Sequence, residues 1–372
     1  MNELPRSPKL RQASFDDCEQ ISVLEHAYGL ETKSREEWEH LWSRNPAYKG
    51  RGSSWPIGWV LEDDARRIVG YLGNIPLWYE WQGRRLIAAV THAWVVDSPY
   101  RSYSTWLLDS YFRQENADLF LSTTVNAQAS QAFGVFDSSP VPVGKWDQSA
   151  FWITHYQGFV TSWMRMKGSP MPGLLSRPLS AGLLLKDVLA GRSFRRNQNE
   201  VRVEPCIGFD RRFEIFWQEL KTRLPHLLLA VRSREVLEWH FRYAIQKKDV
   251  WILTIANGSE LIAYSIFCRQ DNPRFGLERM RLVDFQTLEE NSSLLLPMLS
   301  WVLQRCRSEG IDMLECIGPC PQQSVVFQNL RPRQRQLPSW MYFYNARDPE
   351  LANSLEDPRA WNPYWFDGDS TL

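Results

Sequence analysis

Along this chain the apolar positions alternate between two periods, and each switch marks an element boundary. Leu86–Val96 is an almost unbroken run of Ala, Val, Ile and Trp, which predicts a strand. It breaks at Asp97-Ser98-Pro99-Tyr100-Arg101, and from Ser104 the residues Leu107, Leu108, Tyr111 and Phe112 recur at helical spacing. Asp118–Ser122 reads as the next strand, and Asn126 opens another short helix. Ahead of these, Leu10–Gln12 predicts a short strand. Ser14-Phe15-Asp16-Asp17 has the shape of a capping box before a helix carrying Cys18, Ile21, Leu24 and Tyr28 on one face. A second helix covers about 35–42 and stops before Asn45-Pro46. Ile57–Leu61 and Arg67–Leu72 read as a hairpin, followed by Leu77–Trp81. Pro140 to about Trp152 is expected to complete this first sheet.

The same grammar returns in the second half. Phe213, Phe216, Trp217 and Leu220 form one helical face, Ser233 caps a helix, and strands are expected at Val250–Ile255, Leu261–Cys268, Met280–Phe285 and Met313–Cys316. Short matches support a duplication. Ser34-Arg35-Glu36 recurs as Ser233-Arg234-Glu235, Val69-Gly70-Tyr71 as Ile262-Ala263-Tyr264, Val95-Val96-Asp97 as Leu282-Val283-Asp284, and Asp118-Leu119 as Asp312-Met313. The pairs keep one order at offsets of 199, 193, 187 and 194. Two copies of one fold should therefore superpose with Asp97 over Asp284 and Asp118 over Asp312. The expected division is 1–160 for the first copy, 161–200 for a connector and 201–372 for the second. In the connector a leucine-rich run, Leu174 to Leu189, predicts an amphipathic helix packed between the domains. A membrane-surface helix is the sharper alternative, weakened because Arg192, Arg195 and Arg196 cluster only at its end.

A strand that feeds directly into a helix N-terminus presents free backbone N–H groups and a positive dipole end, a ready site for a phosphate. Arg101 adds a fixed charge there. The order Val-Asp-Ser-Pro-Tyr-Arg, then helix, strand and Asn, resembles the acyl-CoA-binding core of the GNAT (GCN5-related) N-acetyltransferase superfamily, in its tandem-domain form. The resemblance covers most of 10–155 and, more faintly, 201–345. It implies an α/β (α+β) fold of two acyl-CoA N-acyltransferase-like domains, each a mixed, mostly antiparallel sheet flanked by helices. By the same resemblance Arg101, Ser102, Tyr103 and Ser104 would cradle the pyrophosphate of coenzyme A, Val95 and Val96 would offer a backbone edge to the pantetheine arm, and Asn126 stands where the family has an asparagine. His92, four residues before Val96, falls where a general base is often found, and histidine's ordinary pKa of about 6.5 suits that work.

The chain departs from the family pattern in places. Ser98 stands at the proline position, Ser104 and Trp106 at two small-residue positions, and Phe133 where a tyrosine commonly protonates the leaving thiolate. In the second copy the corresponding turn, Asp284 to Glu290, lacks both arginine and glycine and is acidic, so that copy should not bind CoA in the usual way. The implied activity is acyl-CoA-dependent N-acylation, acetyl transfer to a small-molecule amine such as an amino sugar. Acetyl-CoA or another acyl-CoA would be the co-substrate, and no metal is implied. Two alternatives stay open: a Fem-like aminoacyltransferase, and a non-catalytic scaffold on a degenerate fold.

Composition narrows the classes. With 43 basic and 43 acidic residues the chain has no basic excess to mark a nucleic-acid partner. Six scattered cysteines include no zinc pattern and suit free thiols in a reducing compartment. Met1–Lys9 is polar, and the run Leu294–Leu303 is too short to span a bilayer, so a cytoplasmic protein is expected.

Overall fold

The computed structural model describes residues 7–30, 32–50, 54–144, 146–192, 201–288, 292–318, 329–337 and 341–372. The first half runs β1 (Lys9–Gln12), α1 (Cys18–Ala27), α2 (Arg35–Ser43), α3 (Pro46–Lys49), β2 (Gly58–Glu62), β3 (Ile68–Trp81), β4 (Arg84–Val96), α4 (Ser104–Arg113), β5 (Leu119–Val125), α5 (Ala127–Val135), β6 (Ser139–Pro140) and β7 (Gln148–Ile153). Two helices follow, α6 (Tyr156–Met166) and α7 (Pro172–Leu189). The second half runs β8 (Glu204–Cys206), α8 (Arg211–Arg223), β9 (Leu229–Ala230), α9 (Arg234–His240), α10 (Arg242–Lys247), β10 (Val250–Asn257), β11 (Glu260–Arg269), β12 (Arg279–Thr287), α11 (Leu295–Glu309), β13 (Met313–Ile317), β14 (Arg333–Gln336), β15 (Met341–Ala346) and α12 (Pro349–Leu355).

Local signals set many boundaries. Ser14 and Asp17 form the expected capping box, and Ser34 and Ser233 cap α2 and α9 through the same hydroxyl-to-backbone bond. Gln82 and Gly83, both at positive φ, make the tight turn between β3 and β4. The stretch 68–81 is one strand rather than two, because Pro76 lies in register opposite Ala89 without ending the ladder.

Two mixed sheets result, with strand orders β1-β2-β3-β4-β5-β15-β6 and β14-β7-β13-β12-β11-β10-β8, the first with β9 on its β3 edge. Read from opposite ends, the orders are the same. Each contains one parallel pair, β4 with β5 and β12 with β13, bridged by a helix crossover. The duplication reaches individual bonds. The Asp118 amide donates to Ile87 O while the Ile87 amide donates to Asp118 Oδ2, and Asp312 makes the same two bonds with Glu278. Between the halves, His40 Nε2 bonds Trp239 O at 2.9 Å and Trp239 Nε1 donates to His40 O at 3.0 Å, a local two-fold between residues 199 apart.

Three expectations need correction. β7 does not complete the first sheet: it pairs antiparallel with β13 in the second, and β15 returns the exchange by pairing with β5 in the first. Each half thus donates a late strand to the other. Asp97 and Asp284 are not equivalent, since Asp97 follows β4 whereas Asp284 lies inside β12. Ladder positions match Asp284 to the His92–Ala93 step, because both strands carry a bulge there. Finally, α7 is not sandwiched between domains. It lies on the surface beside α6, fixed by Asp187, which accepts from Tyr156 Oη and pairs with Arg192 and Arg333.

Candidate functional site

The parallel ladder between β4 and β5 is short. It holds Ala88–Leu119, Ala89–Phe120 and Val90–Leu121, and then the strands part although both continue. Side chains mark the point of separation. Tyr111 Oη donates to Ala89 O at 2.6 Å beside Leu121 O, and the hydroxyls of Thr91 and Ser122 bond one another. Beyond them, no described strand pair joins Thr91–Val96 to β5, and on its other edge β4 bulges at Ala93, a non-glycine residue at φ +49. A bulge with a left-handed alanine is costly backbone, of the kind that collects at functional sites.

A cavity of about 700 Å³ opens in this gap. His92, Val95, Val96, Arg101, Ser104 and Asn126 all line it. Ser102 and Tyr103 do not: Ser102 is exposed on the 3₁₀ turn Ser98–Tyr103, and Tyr103 packs edge-on against Trp106, ring centroids 4.9 Å apart. Asn126 caps α5, its side-chain oxygen accepting from the Ala129 amide. Phe133 is buried, its ring stacked on Phe343 and meeting Trp94 edge-on, so the position without a hydroxyl has become an apolar wall. Tyr28 Oη, also on the rim, accepts from the Ser98 amide and steadies the turn.

Two carboxylates face this cavity that spacing did not reveal. Asp369 Oδ2 lies 3.2 Å from His92 Nδ1, and its other oxygen accepts from Thr123 Oγ1 at 3.1 Å, so the imidazole is held by an acid fixed on both sides. Asp369 arrives from 277 residues away, and nothing local in the sequence announces it. Glu25 is 4% exposed, and its Oε1 has no hydrogen-bond partner among the described residues. Burial raises its pKa, opposed by the nearby His92 and Lys33. A signal for Glu25 did exist. It occupies the apolar face of α1 with Cys18, Ile21 and Tyr28, where a carboxylate needs a reason.

A somewhat larger cavity, about 790 Å³, lies under α7 and α11, lined by Asp187, Arg192, Arg307 and Arg333 among others. Its acid is already paired with two of those arginines, and it lies away from the parted parallel strands. The β4–β5 gap is therefore the better candidate.

The second sheet carries buried, paired charge at the matching step. Its ladder runs to Leu282–Cys316, and Asp284 just beyond is fully buried, bonded bidentately by Arg232. The 3₁₀ turn Trp365–Asp367 packs on β12, Asp367 accepting from Arg232 at 2.7 Å. From there the chain continues to Asp369, Ser370 and Leu372 at the first cavity. Glu289 and Glu290, part of the acidic turn, lie outside the described residues.

No protein-family profile and no curated protein sequence matches the chain. Solved structures do. A GCN5-related N-acetyltransferase from Anabaena variabilis aligns over 91% of this chain and 73% of that one, at 12% identity and a TM-score of 0.52. Saccharomyces cerevisiae N-myristoyltransferase with bound myristoyl-CoA aligns over 93% and 86%, at 12% identity and a TM-score of 0.57. A probable N-acyltransferase from Enterococcus faecalis aligns over 91% and 73%, at 10% identity and a TM-score of 0.54. Parted strands, a bulged β4 and whole-chain likeness to these structures agree on one point: the fold is that of the GCN5-related N-acyltransferases.

Proposed function

We propose that the chain is an acyl-CoA-dependent N-acyltransferase working from its first copy. The observation that carries the reading is the gap beyond Val90 and Leu121, where an unladdered edge of β4 borders a cavity that also holds an imidazole–carboxylate pair and a buried, under-bonded glutamate. A pantetheine arm could extend that edge much as a strand would, with Val95 and Val96 supplying backbone groups. Arg101 and Ser104, at the start of α4, suit the pyrophosphate.

On the acceptor side, Glu25 would hold an amine in its ammonium form, since a buried carboxylate with an open lone pair is satisfied by a cation. His92 takes one amine proton, its ring oriented by Asp369. The freed nitrogen pair then forms the C–N bond at the thioester carbonyl, the acylated nitrogen gives up its second proton to water, and the C–S bond breaks. The proton on His92 can pass to the departing sulfur directly or through water, which answers for the missing hydroxyl at Phe133. Acetyl is the acyl group we favour, and the acceptor class is a small amine, an amino sugar included.

A thermal shift with acetyl-CoA tests the reading, because a ligand bound only by the folded state must raise the melting temperature. The expected shift is retained in His92→Gln and reduced in Arg101→Ala. No shift at millimolar acetyl-CoA or free CoA would favour a scaffold on this fold.

A further inference from the structure

The helix α7 is inside out. At 100° per residue, Pro172, Ser176, Ser180, Leu183 and Asp187 share one face, and that face is the one turned inward, with Ser176 and Asp187 buried. Most of the leucines lie away from it. Leu174 is 72% exposed, Leu185 60% and Leu189 80%, with Leu175 and Leu179 also in the open. The preceding α6 adds exposed Trp163 and Met166 to the same helical hairpin. A contiguous apolar surface of this kind marks an interaction site, whereas scattered exposed leucines would need no account.

The charge around it is one-sided. From Tyr156 to Arg192 the described residues include Arg165, Lys167, Arg177, Lys186 and Arg192 against the single acid Asp187, which is buried and paired with Arg192 and Arg333. The chain as a whole balances 43 to 43, so the positive excess is local. Arg177 lies one turn from Leu174, Lys186 falls in angle between Leu175 and Leu179 on the helix surface, and α6 carries the exposed indole of Trp163. A second copy docked face to face would bring these like charges together. An anionic lipid surface would instead neutralise them while taking up the leucines. No described helix is long and apolar enough to cross a membrane, and α7 at about 27 Å is sized to lie along one.

We infer that the α6–α7 hairpin is a docking surface for an anionic lipid bilayer, with α7 lying in the plane of the interface. The test is flotation of the full chain with vesicles of phosphatidylcholine alone and of phosphatidylcholine mixed with phosphatidylglycerol. The chain should float with the mixed vesicles only, and added salt should release it. The double variant Leu185→Glu with Leu189→Glu should abolish flotation, and Arg177→Glu with Lys186→Glu should weaken it about tenfold or more. Both should keep the wild-type melting temperature, since these side chains are solvent-facing. Equal behaviour with both vesicle types, or no flotation, overturns the inference. So does a wild-type dimer that becomes monomeric in the leucine variant without any vesicle binding.

Discussion

At the same rung of their parallel ladders the two sheets carry opposite chemistry: Val90 beside Leu121 in the first, Arg281 beside Glu315 in the second. The apolar rung is followed by parted strands and a cavity. The ionic rung is followed, further along β12, by the buried Asp284 paired with Arg232. Burial alone would raise the Glu315 pKa, but Arg281, Arg335 and Arg279 outweigh it and hold the carboxyl at about 2. Ser149 on the exchanged strand β7 donates to the same carboxylate, so this network also ties the exchanged strand to its host sheet. One strand layout is thus used twice, once with a cavity beside the parted strands and once with paired charge at the matching step. Buried ions are tolerated in the second copy because Arg232, Asp284, Asp367, Arg281 and Glu315 each have a partner.

The contrast can be broken most forcefully at Glu315. Glu315→Gln leaves three arginines facing a neutral group and should cost about 3–5 kcal/mol in denaturant unfolding, the usual penalty for removing one partner of a buried pair. The pH dependence carries a sign. The folded carboxyl titrates below its unfolded value, so its stabilisation is present above about pH 4 and is lost as pH falls toward 2. The variant should lack that acid limb. A neutral outcome would show the second sheet does not depend on its ionic rung. In the open copy, at the step that matches Asp284, His92→Gln should lower turnover roughly a hundredfold or more while leaving acetyl-CoA affinity almost unchanged. Loss of folding stability with an unaltered pH–rate profile would return His92 to a purely structural role.

Much of this architecture was legible because its signals are local. Caps at Ser14 and Ser233, the strand–turn–helix around Arg101 and the paired Asp118 and Asp312 all rest on short-range chemistry. What was hidden is long-range or directional. The stretch ending near Trp152 reads as sheet, but nothing in its six residues says which sheet will take β7, and β15 carries no signal that the sequence reading used. The match of Val95-Val96-Asp97 to Leu282-Val283-Asp284 is a chance likeness, because Ala88 and Arg279 stand at the same rung of the parallel ladders and that register carries Asp284 to the His92–Ala93 step. Periodicity shows that α7 has two faces without saying which is inside. His92 could be reached by counting from Val96, whereas its partner Asp369 is visible only once the chain has folded back over the site.

A smaller effect is expected at the phosphate end of the cavity. Arg101 is exposed, so its contribution is screened, and Arg101→Ala should weaken acetyl-CoA binding about five- to tenfold with turnover at saturation preserved. Raising the salt concentration should shrink the difference between the two proteins. The comparison gains precision here, because the second copy has no arginine in its corresponding turn and no equivalent change there should alter binding.

The smallest shift in stability, and the most telling sign, belongs to Glu25. Its carboxyl is buried with one oxygen unbonded, and burial raises its folded pKa above the unfolded one. The native state therefore holds a proton that the unfolded chain has already lost, and stability falls as pH rises from about 4 through the folded pKa. Above that range the penalty is constant and fully present. Glu25→Gln keeps the shape and removes the charge, so at neutral pH the variant should melt at a higher temperature than wild type. Below about pH 4, where both states of the wild type are protonated, the advantage should vanish. The same variant should lose amine-acceptor affinity, seen as a raised KM for the amine and an unchanged one for acetyl-CoA. Glu315→Gln is the counterpart in the closed copy, where removing a carboxylate costs stability because the charge is paired. A residue whose removal stabilises the fold and harms only acceptor binding is one retained for the site. A Glu25→Gln protein that melts lower at neutral pH would place this carboxylate with the structural ions of the second sheet.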